Sequence, residues 1–190
     1  TRVFTSFFRL RAPAGQRDSV DIDIRLCYNT QDLMTGFKGS VFMNIVVLCG
    51  GLSNERDVSI SSGSCVARAL RERGHRAVLV DVFFGYQGSY SDPREIFSKE
   101  QPDLGFTVGE NMPDLDEVRR SRPDGGDTPI GPNVIEICRA ADITFLALHG
   151  EDGENGRFQA LFDVYGIKYT GCGYLGSALA MNKGLTKTIL

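Results

Sequence analysis

MNIVVLCGGLSNERDVSISSG, residues 43–63, sets the architecture of the whole chain. A short β-branched apolar run, residues 45–48, predicts a strand that is buried on both faces. Gly50 and Gly51 then break the strand, and a helix is predicted from about residue 57 to residue 73. A strand, a glycine turn and a helix form the first half of a βαβ unit. The N–H groups gathered where such a helix begins are a ready site for an anionic group.

The rest of the chain repeats this alternation of strands and helices. Further apolar runs predict strands at residues 77–82, 143–148 and 166–171. Because helices separate the strands, we expect an α/β fold of the Rossmann-like type, a parallel sheet with flanking helices. Further helices are predicted at residues 114–120, 133–141 and 174–181. Two more are predicted, one after the turn that ends at residue 156 and one from Asn182 onward. Predicted core residues are Val58, Val66, Ala69 and Leu70 in the first helix, and Phe158, Leu161, Phe162 and Val164 after the turn.

Composition excludes several classes of protein. The 190 residues carry a net charge of −3 without a charge block, so nothing indicates nucleic-acid binding. The longest apolar runs are of strand length and predict no membrane span. Five dispersed cysteines are typical of reduced thiols in a cytoplasmic protein, and neither a disulfide frame nor a metal site is predicted.

Two segments lack the regular pattern. Residues 1–42 are expected to be an irregular leader upstream of the natural start at Met43, which directly precedes the first clean strand. Residues 84–132 are rich in Gly, Pro, Asp and Ser, with a loop at 123–127, and we interpret them as an insertion between core elements.

A second turn, HGEDGENG at residues 149–156, follows the third predicted strand. Because parallel strands present their carboxyl ends at one edge of the sheet, this turn and the Gly50–Gly51 turn should meet there. Glu55 is placed to accept hydrogen bonds from a substrate ammonium group. His149 is placed to donate to a carboxylate or phosphoryl oxygen.

Structural explanations compete with this hypothesis. Glu55 is also placed to cap the helix or to pair with Arg56. A single histidine at a strand end is more often structural than catalytic, and acids in a glycine-rich turn, such as Glu154, are usually solvated. Lys183 and Lys187, one helical turn apart, fit a solvated face. The glycine spacing matches neither a dinucleotide fingerprint nor a P-loop, although Asp81 ends the second strand where a ribose-binding acid would lie.

Three motifs together resemble the N-terminal domain of D-alanine–D-alanine ligases, an ATP-grasp family of peptidoglycan precursor synthesis. Residues 50–59 match G-G-x-S-x-E-R-x-V-S, and residues 148–159 match L-H-G-x-x-G-E-x-G-x-x-Q. Residues 169–173 match Y-T-G-x-G, and 177–183 match S-A-x-x-M-D-K except that Asn182 replaces Asp. Asparagine caps a helix as well as aspartate does. The resemblance covers residues 43–190 and implies a pre-ATP-grasp fold.

The resemblance also implies roles for individual residues. Glu55 corresponds to the glutamate that orients the first D-alanine, with Val58 beside it and Ser59 in the same loop. His149 corresponds to a histidine near that substrate's carboxylate. Among the later site residues, Gly150 shapes the turn, Glu154 supports the site, and Lys183 reaches the ATP phosphates.

The implied activity is cytoplasmic, ATP- and Mg²⁺-dependent joining of two D-alanine molecules through an acyl phosphate, by a homodimer. Residues 43–180 correspond to the substrate domain and 181–190 to the start of the central ATP-binding domain. Most of the ATP cleft and the magnesium ligands lie further along the family's chain, so we expect residues 1–190 alone to be inactive. Two other classes remain open: a non-catalytic α/β dimerisation or binding domain, and a nucleotide-binding oxidoreductase domain.

Overall fold

A computed structural model describes residues 42–101 and 112–189. The predicted leader therefore lies outside the described residues, except for Phe42. Three parallel strands form one sheet in the order β2-β1-β3: β1 is Asn44–Cys49, β2 is Arg76–Asp81 and β3 is Ile143–Leu146. The sheet and its flanking helices confirm the predicted α/β class.

Helices occupy the connections between these strands and follow the last one. A long helix, α1 (Arg56–Glu72), joins β1 to β2. The connection from β2 to β3 contains a 3₁₀ helix (Pro93–Ser98), α2 (Leu115–Arg120) and α3 (Val134–Ala140). The last part of the described chain contains α4 (Glu151–Glu154), α5 (Arg157–Tyr165), α6 (Tyr174–Met181) and α7 (Lys183–Ile189).

β1 is the centre of the sheet and is buried on both faces, as its apolar run predicts. Val46 and Leu48 pack in the larger core cluster with side chains of α3, α5 and the 3₁₀ helix. Ile45 and Val47 point to the opposite face and pack with Leu70 and other side chains beneath α1. Since successive strand residues alternate between faces, one continuous apolar run supplies both cores.

The predicted fourth strand is wrong. Only an isolated parallel bridge joins Tyr169 to Thr144, where Thr144 N–H donates to Lys168 O and Thr170 N–H donates to Thr144 O. The next N–H, that of Leu146, donates to the side-chain Oγ1 of Thr170 at 3.1 Å. A side chain therefore takes the place of a backbone carbonyl, and the ladder ends after one step. β3 itself also ends at Leu146, two residues earlier than predicted.

The buried face of α1 differs from the prediction. Leu70 is buried and Val66 packs against the core edge, but Val58 is 44% exposed. The innermost positions include two small residues, Ser59 and Gly63, which allow the helix to approach β1 closely. A Cβ added at Gly63 would lie 2.8 Å from the Cβ of Cys49. In this part of α1, small residues rather than apolar side chains face the sheet, because the helix lies close to β1.

α5 shows a similar error at one position. Phe158 and Phe162 are buried and Leu161 packs against the core, but Val164 is 83% exposed. Val164 lies two residues after Phe162, which is about 200° around a helix and hence on the solvent side.

The predicted insertion contributes to both the core and the site. Ile96 and Phe97 of the 3₁₀ helix are buried in the larger core cluster. The loop at residues 123–127 is held by buried Arg122, which binds Asp124 and donates to Thr128 O at 2.6 Å. Arg122 is the main cause of the lowered pKa of Asp124.

The last two helices form where the sequence predicts them. Asn182 Oδ1 accepts a hydrogen bond from Leu185 N–H at 3.0 Å, so asparagine does cap the start of α7. The large apolar residues of this pair, including Leu175 and Met181, are exposed. Among the described residues, no helix combines the length and apolar character needed to cross a membrane.

Candidate functional site

The first turn of the site depends on two glycines in the left-handed region. Gly50 has φ 72° and Gly51 has φ 84°, which other residues rarely adopt. A Cβ at Gly50 would also collide with the carboxylate of Asp81. The chain reverses here from β1 into α1, and Glu55 occupies the position immediately before the helix.

A buried ion pair holds this turn from below. Arg56 is 5% exposed; it pairs with Asp81, at the end of β2, and donates from Nη1 to Gly51 O at 2.8 Å. Asp81 Oδ1 also accepts from the N–H groups of Phe83 and Phe84 at 2.9 and 3.1 Å. Asp81 is thus occupied by structural contacts and does not fit the role of a ribose-binding acid.

The contacts of Arg56 and Glu55 test both structural explanations for Glu55. Arg56 is turned toward Asp81, and within the described part of the chain Glu55 makes no side-chain capping bond to α1. Neither of the two structural explanations is therefore observed. The exposed Glu55 carboxylate remains available to a ligand.

Two serines join the first turn to the second. Ser59 is fully buried; its Oγ accepts from Gly50 N–H at 2.8 Å and donates to Ala147 O at 2.7 Å. Ser53 Oγ donates to His149 O at 2.7 Å and accepts from Glu55 N–H at 3.2 Å. The carboxyl ends of β1 and β3 therefore meet at one edge of the sheet and are hydrogen-bonded there.

Glycines also shape the second turn. Gly150 has φ 68°, and its carbonyl accepts from Gly153 N–H at 3.0 Å. Gly153 packs so closely that a Cβ would lie 2.6 Å from Leu148 Cβ, and its carbonyl accepts from the Gln159 side chain at 3.0 Å. Glu151 adopts φ 39°, an uncommon value for a residue with a side chain.

These contacts bring three polar side chains together. One carboxylate oxygen of Glu55, one of Glu154 and a ring nitrogen of His149 all lie within 4.8 Å of one another. His149 Nδ1 is 3.9 Å from Glu154 Oε1, and His149 Nε2 is 3.2 Å from Ser62 Oγ. Glu55 and Glu154 are exposed and His149 is half-buried. Such a cluster of acceptors is suited to a cationic group such as an ammonium.

A cavity of about 400 Å³ lies beside this cluster. Both turns line it, and so do Arg119, Asp127 and Pro129 from the predicted insertion. Of the predicted site residues, His149 and Gly150 line the cavity. The described lining does not include Glu55, Val58, Ser59, Glu154 or Lys183.

The structure therefore separates the predicted site residues into groups. Glu55, His149 and Glu154 meet in the cluster, while Ser59 lies buried beneath the turns and acts through their backbone. Val58 and Lys183 are exposed, Lys183 at the start of α7. Sequence reasoning missed Ser53 and Arg119 as site residues. The only signal for Ser53 was its place in the first motif, and no signal indicated Arg119.

Cys49 lies at the end of β1 but is not suited to act as a nucleophile. Burial and the neighbouring Asp81 carboxylate raise the pKa of its thiol to about 12, although Arg56 opposes the shift. The reactive thiolate is therefore scarce at neutral pH.

Known proteins match the part of the chain that contains both turns. A family model described as "D-ala D-ala ligase N-terminus" matches residues 44–172. The D-alanine–D-alanine ligase of Lacticaseibacillus casei is 45% identical over 148 residues, covering 78% of this chain and 42% of that protein. That of Pediococcus pentosaceus is 43% identical over 152 residues, with the same coverages. The solved D-alanine–D-alanine ligase of Bacillus anthracis complexed with ATP aligns with a TM-score of 0.49 and 24% identity, over 79% of this chain and 34% of that one.

Proposed function

The chain belongs to the D-alanine–D-alanine ligase family, and from this membership we propose that it forms the amino-acid-binding part of an enzyme that joins two D-alanine molecules. The chain spans about two fifths of the length of the curated relatives it matches, 42% in the two cases above. The activity is accordingly proposed for the whole protein. Residues 43–180 form the proposed substrate domain, and 181–190 begin the proposed ATP-binding domain.

One observation carries this proposal. Glu55 has neither a capping bond nor an ion pair with Arg56, and it lies against His149 and Glu154 at the edge of the sheet. Two carboxylates and an imidazole at this spacing are suited to an amino acid's ammonium group, since an ammonium has three N–H donors and no acceptor. A nucleotide phosphate would instead meet two like charges there.

We assign the following roles. Glu55 accepts hydrogen bonds from the ammonium group of the first D-alanine, and His149 contacts the same molecule. Glu154 supports the site, Gly150 shapes the turn, and Ser59 fixes the turn from beneath. The exposed side chain of Val58 lies one helical position before Ser59, on the solvent side of α1.

ATP and Mg²⁺ belong to the proposed activity, and we propose that the whole protein binds both mainly outside the described residues. The glycine turn carries Glu55 where a phosphate site needs a cation, and the cavity beside it is not lined by Lys183. Lys183 is our proposed contact to the ATP phosphates in the whole protein. ATP-dependent synthesis of a peptidoglycan precursor is a cytoplasmic process, and we propose a cytoplasmic homodimer.

Thermal shift with three ligands separates the candidate functions. D-alanine should raise the melting temperature of the 190-residue chain, because a ligand that binds only the folded state stabilises it. Stabilisation by NAD alone would indicate the oxidoreductase alternative. No stabilisation by D-alanine, ATP or NAD would leave only a non-catalytic packing domain and would contradict the proposal.

Glu55→Gln in the whole protein tests the role of the carboxylate. The amide keeps the shape of the side chain but removes the charge that attracts an ammonium group. The KM for D-alanine should rise at least tenfold, because a hydrogen bond to a charged group contributes roughly 1.5–3 kcal/mol. The KM for ATP should change little. Asp57→Asn, a matched loss of charge in the first turn of α1, is the control. Equal losses for D-alanine and ATP in Glu55→Gln would contradict the role.

A further inference from the structure

His149 can present either ring nitrogen to a ligand, and its contacts decide which one is free. The side-chain hydroxyl of Ser62, on α1, lies 3.2 Å from His149 Nε2. His149 Nδ1 lies 3.9 Å from Glu154 Oε1, which is too long for a hydrogen bond. Ser62 is therefore the partner that fixes the ring, and Nδ1 lies on the side of the Glu154 carboxylate.

The Ser62 hydroxyl has one proton and three neighbours. Its oxygen lies 2.9 Å from the carbonyl oxygen of Val58 and 3.2 Å from that of Ser59. Carbonyl oxygens only accept hydrogen bonds, so the proton of Ser62 is directed toward them. The contact with His149 is then a hydrogen bond only if Nε2 carries a proton and donates it to the Ser62 oxygen. If Ser62 donated to His149 instead, its oxygen would face two carbonyl oxygens without a proton between them.

We propose that Ser62 is a positioning residue that holds neutral His149 in the Nε2–H tautomer and so presents an unprotonated Nδ1 to the substrate. Nothing in the sequence motifs singles out this serine. In this tautomer, Nδ1 accepts a hydrogen bond and cannot donate one. A neutral His149 therefore cannot bind the substrate's carboxylate through Nδ1.

The substrate contact of His149 changes as a consequence. Unprotonated Nδ1 and the carboxylates of Glu55 and Glu154 are then three acceptors for the three N–H groups of one ammonium. The ammonium group of the amino acid, and not its carboxylate, faces His149. This step rests on the proposed function, whereas the tautomer itself does not.

Long-range ¹H–¹⁵N NMR of the histidine rings reads the tautomer directly. The chain has two histidines, and His75 provides an internal reference, because Met43 N–H donates to its Nδ1 at 3.3 Å and so fixes Nε2–H there too. In their neutral form, both rings should show the Nε2–H pattern. An Nδ1–H pattern for His149 in the wild-type chain would overturn the proposal.

Variants of α1 test the part played by Ser62. Ser62→Ala should lower the Nε2–H to Nδ1–H ratio of His149 about fivefold, which corresponds to one hydrogen bond of about 1 kcal/mol. Ser62→Thr, which keeps the hydroxyl, should restore the ratio, and Ser61→Ala should not change it. His75 should be the same in all variants. An unchanged His149 ratio in Ser62→Ala, with the backbone spectrum still folded, would overturn the proposal.

Saturation with D-alanine separates this inference from the proposed function. If the ammonium group faces Nδ1, His149 stays neutral with Nε2–H, and its Nδ1 resonance shifts more than its Nε2 resonance. A carboxylate at Nδ1 would require a proton there, so conversion of His149 to the Nδ1–H tautomer or to the doubly protonated form would overturn the substrate contact and leave D-alanine binding intact. Absence of any D-alanine effect on the two turns would instead refute the proposed function and the substrate contact, while the tautomer result stands alone.

Discussion

Replacing Ser59 with alanine removes the hydroxyl that joins the ends of β1 and β3. The hydroxyl accepts from Gly50 N–H at 2.8 Å and donates to Ala147 O at 2.7 Å, and its residue is fully buried. The void left by one oxygen atom is too small for a water molecule that would replace both bonds. Both backbone groups therefore lose this partner inside the protein.

The expected loss of stability is about 1.5–5.5 kcal/mol. A buried polar group without a partner costs ~1–3 kcal/mol, and the change affects one N–H and one C=O. Alanine has the higher helix propensity, which offsets roughly 0.5 kcal/mol. With a urea m-value of about 2 kcal/mol/M, the unfolding midpoint should fall by about 0.8–2.8 M.

A second serine on the same helix provides a matched control. Ser64 Oγ is buried without a hydrogen-bond partner in the described part of the chain. Ser64→Ala makes the same chemical change and the same propensity gain, but breaks no bond, so its midpoint should stay equal or rise. Urea unfolding of both variants, followed by circular dichroism, tests the bridging role of Ser59. A Ser59→Ala midpoint within 0.2 M of wild type, or equal losses in both variants, would refute the bridging role.

Three further predictions follow from individual positions. Gly50→Ala should lower the free energy of unfolding in urea by more than about 3 kcal/mol, because a left-handed φ is combined with a collision at Asp81. Gly125 is also left-handed but lies in open space, so Gly125→Ala should lower it by only about 1 kcal/mol. Equal losses in the two variants would contradict the collision. Iodoacetamide at pH 8 should label exposed Cys65 and Cys172, as detected by mass spectrometry. It should spare Cys49 and Cys138, because burial raises the pKa of each of these two thiols to about 12 and keeps it protonated. Rapid labelling of Cys49 in the folded chain would count against this. Phe162→Ala should lower the free energy of unfolding by about 3–5 kcal/mol, while Val164→Ala, two residues along α5, should change it by less than about 0.5 kcal/mol. Similar losses in the two variants would contradict the assignment of the buried face of α5.

Local sequence patterns predict most of the elements in the described chain. The apolar run of β1 and the Asn182 cap each depend on near neighbours, and both are confirmed. The errors arise where a residue far along the chain determines the local structure. Thr170 ends the ladder beside β3 with its side chain, and Ser59 and Gly63 are selected by the proximity of β1. Neither effect is visible from hydrophobic periodicity.

The same distinction applies to the candidate site. Parallel topology correctly predicts that the two turns meet, because the carboxyl ends of parallel strands share one edge. The sequence does not show that Arg56 chooses Asp81, 25 residues away, over its neighbour Glu55. It also does not show that a serine of α1 contacts the ring of His149, 87 residues away. These pairings arise from the packing of α1 on the sheet.

Titration of the ¹⁵N-labelled 190-residue chain with D-alanine, followed through its backbone amide resonances, tests most directly whether the two turns form one amino-acid site. The affinity expected for one small ligand is on the order of 1–10 mM. The amides of residues 50–55 and 149–154 should shift together along one binding curve, and Glu55→Gln should weaken that curve while Asp57→Asn should not. Shifts confined to one turn, or none in either turn at saturating D-alanine, would contradict a shared site.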